Sequence, residues 1–122
     1  MTDPNIVILY VADVPASLAF WSALLGRPAV EEAETFALLP LGGGTMLGLW
    51  KVGDVEPTAT LTGGGTEICI TVGSGAEVDA THADWAARGL AILQAPTEMD
   101  FGRTFTAADP DGHRLRVFCP AG

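Results

Sequence analysis

"NIVILYVADVPASLAFWSALLG", residues 5–26, changes its hydrophobic period part-way along. Ile6 to Val11 is a continuous apolar run of strand length, whereas from Asp13 onward Leu18, Trp21 and Leu25 recur at helical spacing. Asp13 stands where an N-cap is wanted, Pro15 falls in the first turn, and Gly26 supplies a stop. The same grammar returns in the second half of the chain. "EICITV" (67–72) reads as a strand, and Ser74 precedes "GAEVDATHADWAARG" (75–89), where Val78, Trp85 and a terminal Gly89 repeat the helix logic. Three strand-like stretches follow each helix, around 28–32, 35–41 and 45–52, then at 90–95, 103–109 and 113–118. Each half is therefore β-α-β-β-β, over about 4–52 and 66–119, with a Gly-, Thr- and Pro-containing linker at 53–65.

A lone module of this size leaves one face of its sheet wet and buries surface poorly. Two modules predict a single α+β domain over 1–122: a curved mixed sheet with helices outside and a concave face inside. Strand alternation assigns the faces. Val7, Leu9 and Val11 belong on the helix side, leaving Ile6, Ile8 and Tyr10 inward. Leu47 and Leu49 pack outward, so that Met46, Gly48 and Trp50 face the cavity, with Gly48 leaving room for a flat ligand beside the indole. Asp109-Pro110-Asp111-Gly112 is a tight turn, after which Leu115 and Val117 point one way while Arg114 and Arg116 point the other. Trp21 and Trp85 are core residues of the two helices. Phe36, Phe101 and Phe105 fall near the cavity edge, and alternation leaves the facing of all three open.

The chain has 122 residues and a net charge of −9 with only six Lys and Arg, too little positive charge for a nucleic-acid partner. No apolar run reaches membrane-spanning length, and Met1 to Asn5 carries no secretory pattern, so a cytoplasmic protein is expected. Cys69 and Cys119, without a C-x-x-C pattern, suit buried thiols in a reducing compartment. No nucleophile elbow, zinc-protease helix, phosphate loop or dinucleotide fingerprint occurs, and the glycine runs at 42–44 and 63–65 are turns.

The paired βαβββ modules, the opening "VADVPASLAFWSALLG" and the closing "DPDGHRLRVF" resemble the vicinal oxygen chelate superfamily of glyoxalases, extradiol dioxygenases and bleomycin-resistance proteins. The resemblance implies metal ligands on the first, fifth and eighth strands of the enzymes, commonly His, His and Glu. Those positions fall here on Ile6, Glu67 and Arg116. Only Glu67 has a lone pair suited to a cation, so neither a metal nor another cofactor is expected, and Glu67 and Arg116 are expected to form an internal ion pair. Within the superfamily the closer likeness is to phenazine-antibiotic resistance proteins. It rests on Leu49-Trp50 with Glu56-Pro57, on Thr66-Glu67-Ile68 and on "DFGRTFTAADPDGH" (100–113). That likeness implies a homodimer that sequesters a planar aromatic drug without turnover: Trp50 stacks on it, Tyr10, Met46, Phe36 and Phe105 line the site, and Glu67 with Arg116 engages polar substituents. The alternatives are an enzyme with an altered metal site and a non-catalytic interaction module.

Overall fold

Asp13 accepts a hydrogen bond from the Ala16 N–H at 2.9 Å, opening helix α1 (Val14–Leu25), which Gly26 ends in a left-handed turn. Ser74 does the same for helix α2 (Gly75–Ala87), accepting from the Glu77 N–H at 3.2 Å. The Glu77 carboxylate reaches back to the Gly73 N–H at 2.9 Å, a capping box closed one residue further out. These helices belong to a computed structural model that describes residues 3–122.

The chain divides into two units, Met1–Gly63 and Gly64–Gly122, each with its own four-stranded mixed sheet. The first contains β1 (Ile6–Val11), β2 (Glu31–Glu32), β3 (Phe36–Gly42) and β4 (Thr45–Lys51) in the order β1-β4-β3-β2. The second contains β5 (Glu67–Thr71), β6 (Ala91–Met99), β7 (Gly102–Ala108) and β8 (Arg114–Pro120) in the order β5-β8-β7-β6. In each sheet the strand before the helix pairs in parallel with the last strand, and the other pairs are antiparallel.

Two elements differ from their expected extents. The strand at 28–32 shrinks to Glu31–Glu32, while β6 runs on to Met99, through Pro96. β6 lies at a sheet edge and its register shifts twice, and an edge strand with bulges accommodates a proline.

The helix side of each sheet is dry. Leu9, Val11, Leu39, Leu47 and Leu49 are buried with Trp21 in the first unit, and Phe105, Leu115 and Val117 with Trp85 and Val78 in the second. Each such side chain stabilises the fold by about 1.5–3 kcal/mol relative to an exposed one. Val7 departs from the alternation by lying 41% exposed near the start of the edge strand β1. The thiols depart too: Cys69 is exposed and Cys119 half-buried, because Cys69 alternates onto the open face of β5. Among the described residues no helix is long and apolar enough to cross a membrane.

Candidate functional site

Three aromatic rings cross the open face of the first sheet in one row. Tyr10 and Phe36 are the register partners of Trp50 on its two sides. Their rings meet the indole edge to face, with centroids 6.4 and 6.5 Å away and planes at 78° and 83°. All three remain half-buried. Met46 lies on the same face by alternation, two residues along β4. Gly48 between them leaves no gap, contrary to expectation. A Cβ there would stand 3.1 Å from Ile8 and 3.2 Å from the Phe36 ring, so the missing side chain is the space those two fill. The glycine sets how closely Phe36 approaches the backbone, not how deep a ligand reaches.

The open face of the second sheet is polar, and Arg116 organises it. Its Nε and Nη2 donate to the two oxygens of Glu67 at 2.8 and 2.9 Å, a planar fork on a carboxylate. Its Nη1 donates to Gln94 Oε1 at 3.3 Å and to the Thr104 hydroxyl at 3.2 Å. Phe101, at the β6–β7 turn, places its ring 5.7 Å from the guanidinium carbon and packs edge-on against Phe118. The Arg116 hydrogen bonds hold the Glu67 carboxyl below its ordinary range despite partial burial, and Glu67 raises Arg116 in return. A carboxylate pinned in its charged form is a poor proton acceptor near neutral pH. Cys69 is pushed the other way, raised by partial desolvation of its thiol and by the Glu67 charge.

Phe105 does not belong with these residues. It alternates onto the helix side of β7, fully buried, and packs edge-on against Trp85 and His82 of α2 at 5.3 Å. Its ring is core, and it leaves the candidate set. Phe101, Phe118, Gln94 and Thr104 enter it instead. The signal for Phe118 was its alternation with Arg116, whereas Gln94 and Phe101 lie at bulges and a turn where alternation gives no guide. A concavity of about 390 Å3 in the first unit lies away from all of these, lined by Val14, Pro15, Leu18, Glu32, Ala33 and Glu34. It offers two carboxylates and no ring.

Residues 4–117 match the family model of the glyoxalase/bleomycin resistance protein/dioxygenase superfamily. The chain belongs to that superfamily. It is 31% identical over 120 residues to the phenazine antibiotic resistance protein EhpR of Enterobacter agglomerans, covering 96% of this chain and 91% of that one. The solution structure of protein ATC0852 from Agrobacterium tumefaciens is 54% identical with a TM-score of 0.91, each chain fully covered. A glyoxalase-related enzyme from Fulvimarina pelagi shares the fold, at 21% identity and a TM-score of 0.83 over all of this chain and 94% of its own.

The enzymes of this superfamily imply a divalent ion, and the residues here do not fit one. Ile6 has no donor atom, Arg116 has no lone pair to give, and both oxygens of Glu67 already accept from Arg116. Among the described residues no three His, Cys, Asp or Glu side chains cluster as a metal would need. His82 lies against Phe105 on the helix side, and His113 is buried beside Asp109.

Proposed function

We propose that this protein binds and sequesters a planar aromatic small molecule, an antibiotic of the phenazine kind, without a metal and without turning it over. The observation that carries the reading is the Tyr10–Trp50–Phe36 row on the open face of the first sheet. Such a row offers a half-exposed indole braced on both sides, which suits stacking on a flat ring system. The Arg116–Glu67 fork in the second unit favours binding over turnover, since its carboxylate is held charged and is a poor proton acceptor near pH 7. The likeness to a phenazine antibiotic resistance protein points to the same ligand class. We place this binding in the cytoplasm and in a homodimer. The exposed Ile6, Val7 and Ile8 on the edge strand β1 favour a covered strand there.

Calorimetric titration of chelator-treated protein with phenazines tests the reading. Wild-type protein should bind saturably at micromolar concentrations, and Trp50→Ala should weaken binding about 30-fold or more, the loss of a hot-spot tryptophan worth about 2 kcal/mol. Far-ultraviolet circular dichroism should be unchanged in the variant. Light scattering on the same samples reads the association state against the chain mass of 12.6 kDa. Equal affinity in wild type and Trp50→Ala would remove Trp50 as the platform, and binding or turnover only after adding a divalent ion would replace sequestration with an enzyme.

A further inference from the structure

A glycine in the interior of a strand costs stability, and Gly48 stands buried in the middle of β4. Three local needs keep a glycine in such a place: a left-handed backbone, a bulge, or the close approach of another group. The first does not apply, since Gly48 is not among the residues of positive φ. Nor does the second. Gly48 pairs with Ile8 on one side and Leu38 on the other, and the register slips further along, between Pro40 and Gly42. Close approach remains. A Cβ on Gly48 would meet Ile8 Cγ1 at 3.1 Å, and the Phe36 ring at Cζ and Cε1, 3.2 and 3.3 Å away.

Phe36 reaches that spot on a diagonal. Its own register partner is Trp50, two residues along β4 from Gly48, so its ring leans back between strands to lie over the glycine. That lean fixes where the rest of the ring stands. Its plane lies at 83° to the indole of Trp50, with centroids 6.5 Å apart. Tyr10 bears on the indole from the strand on the other side, at 78° and 6.4 Å. The indole is therefore held between two rings, one of which takes its position from the missing side chain at 48. Such packing is sensitive to small displacements, because a gap of about 0.5–1 Å forfeits a quarter to a half of the dispersion attraction.

We propose that Gly48 is a positioning residue of the aromatic row: covered by Phe36 and Ile8, it acts on a ligand through Phe36, by setting the stance of Trp50. Its effect on binding rests on the sequestration reading. An alanine at 48 lifts the tip of the Phe36 ring off the backbone and turns that ring against the indole. A flat ligand then meets a platform that is tilted or loosened. It loses the part of its affinity that comes from ring geometry and from a platform fixed in advance, while the buried area changes little.

The indole N–H resonances of ligand-free protein test the positioning, and titration with phenazine tests its consequence. Trp50→Ala identifies which of the three tryptophan resonances belongs to Trp50. In Gly48→Ala that resonance should shift, while those of the core residues Trp21 and Trp85 stay in place. Phenazine should bind about two- to tenfold more weakly, the range in which aromatic geometry counts beyond buried area. In a Phe36→Ala background the same substitution should move neither resonance nor affinity further, because the Cβ then has room. An unmoved Trp50 resonance, an unchanged affinity, or equal effects with Phe36 absent would overturn the proposal and leave sequestration intact. If wild-type protein binds no phenazine, the sequestration reading fails, and the resonance alone decides the positioning. Should Gly48→Ala not fold, recovery of the fold on adding Phe36→Ala would support the contact, and no recovery would overturn it.

Discussion

Asp109 begins the turn between β7 and β8, and its two oxygens hold different parts of it. Oδ1 accepts from the backbone N–H of Asp111 at 2.9 Å and of His113 at 2.8 Å, while Oδ2 lies 2.8 Å from His113 Nδ1. Both side chains are buried. Burial alone would raise the Asp109 carboxyl, but the hydrogen bonds and charge of His113 outweigh it and hold the group below its ordinary value of 3.8. A group lowered on folding contributes stability that is complete above the unfolded value and disappears as pH falls through the folded one. Asp109→Asn keeps an oxygen for the two backbone donors but gives up the charge. It should cost about 1–3 kcal/mol at pH 7 and flatten the loss of stability below pH 4. Urea unfolding at a series of pH values reads both effects. Glu67 is lowered as well and contributes in the same window, so Glu67→Gln is the control that separates them. An acid limb as steep in Asp109→Asn as in wild type would take Asp109 out of it.

At the scale of elements, the β6–β7 hairpin depends on the residue that follows its turn. Gly102 has a φ of +136°, and a Cβ there would lie 1.9 Å from the carbonyl oxygen of Cys119 on β8. Neither the backbone of β8 nor the turn can give that much without breaking the ladder in which Gly102 pairs with Pro120. Gly102→Ala should therefore destabilise the protein by about 3 kcal/mol or more, seen as a lower urea midpoint with an unchanged slope. A loss under about 1 kcal/mol would mean that the two strands separate here at little cost. The same hairpin marks where sequence reading stops. Helices α1 and α2 were legible because period, cap and stop coincide at Asp13, Leu18, Trp21 and Gly26, and again at Ser74 and Trp85. β6 was legible only to Ala95, since Pro96 ends a strand by local rules and is tolerated only because the strand is an edge. Alternation from buried neighbours puts Arg116 on the open face, but its meeting with Glu67 was implied only by the resemblance to the superfamily, whose ligand positions fall on these two residues. Phe105 could not be placed without its register: it lies opposite Val117, and so shares the helix side with it. The fill of the space over Gly48 was likewise hidden, because it depends on a contact across strands that no spacing encodes.

For the whole molecule, charge sets a different balance from the one seen at any single pair. Fifteen Asp and Glu face six Lys and Arg, so folding gathers a net charge of −9 into a small volume. Such self-repulsion opposes the compact state and is relieved by salt. Salt also weakens the attractive pairs. Three of these, Arg88–Asp84, Arg103–Asp79 and Arg103–Glu98, have exposed or half-exposed partners. Such surface pairs contribute little, and part of that is lost on screening. The Arg116–Glu67 fork is more enclosed and loses less. Repulsion, summed over the surplus of carboxylates over cations, should dominate. Raising sodium chloride from about 10 mM, where charges interact over about 30 Å, to about 300 mM should then increase the thermal midpoint by about 2–5 °C. Sodium chloride is chosen because sulfate would add stabilisation through surface exclusion and blur the cause. A midpoint that falls with salt would reverse the ranking, and would mean that the few ion pairs hold more of the stability than the surplus of negative charge removes.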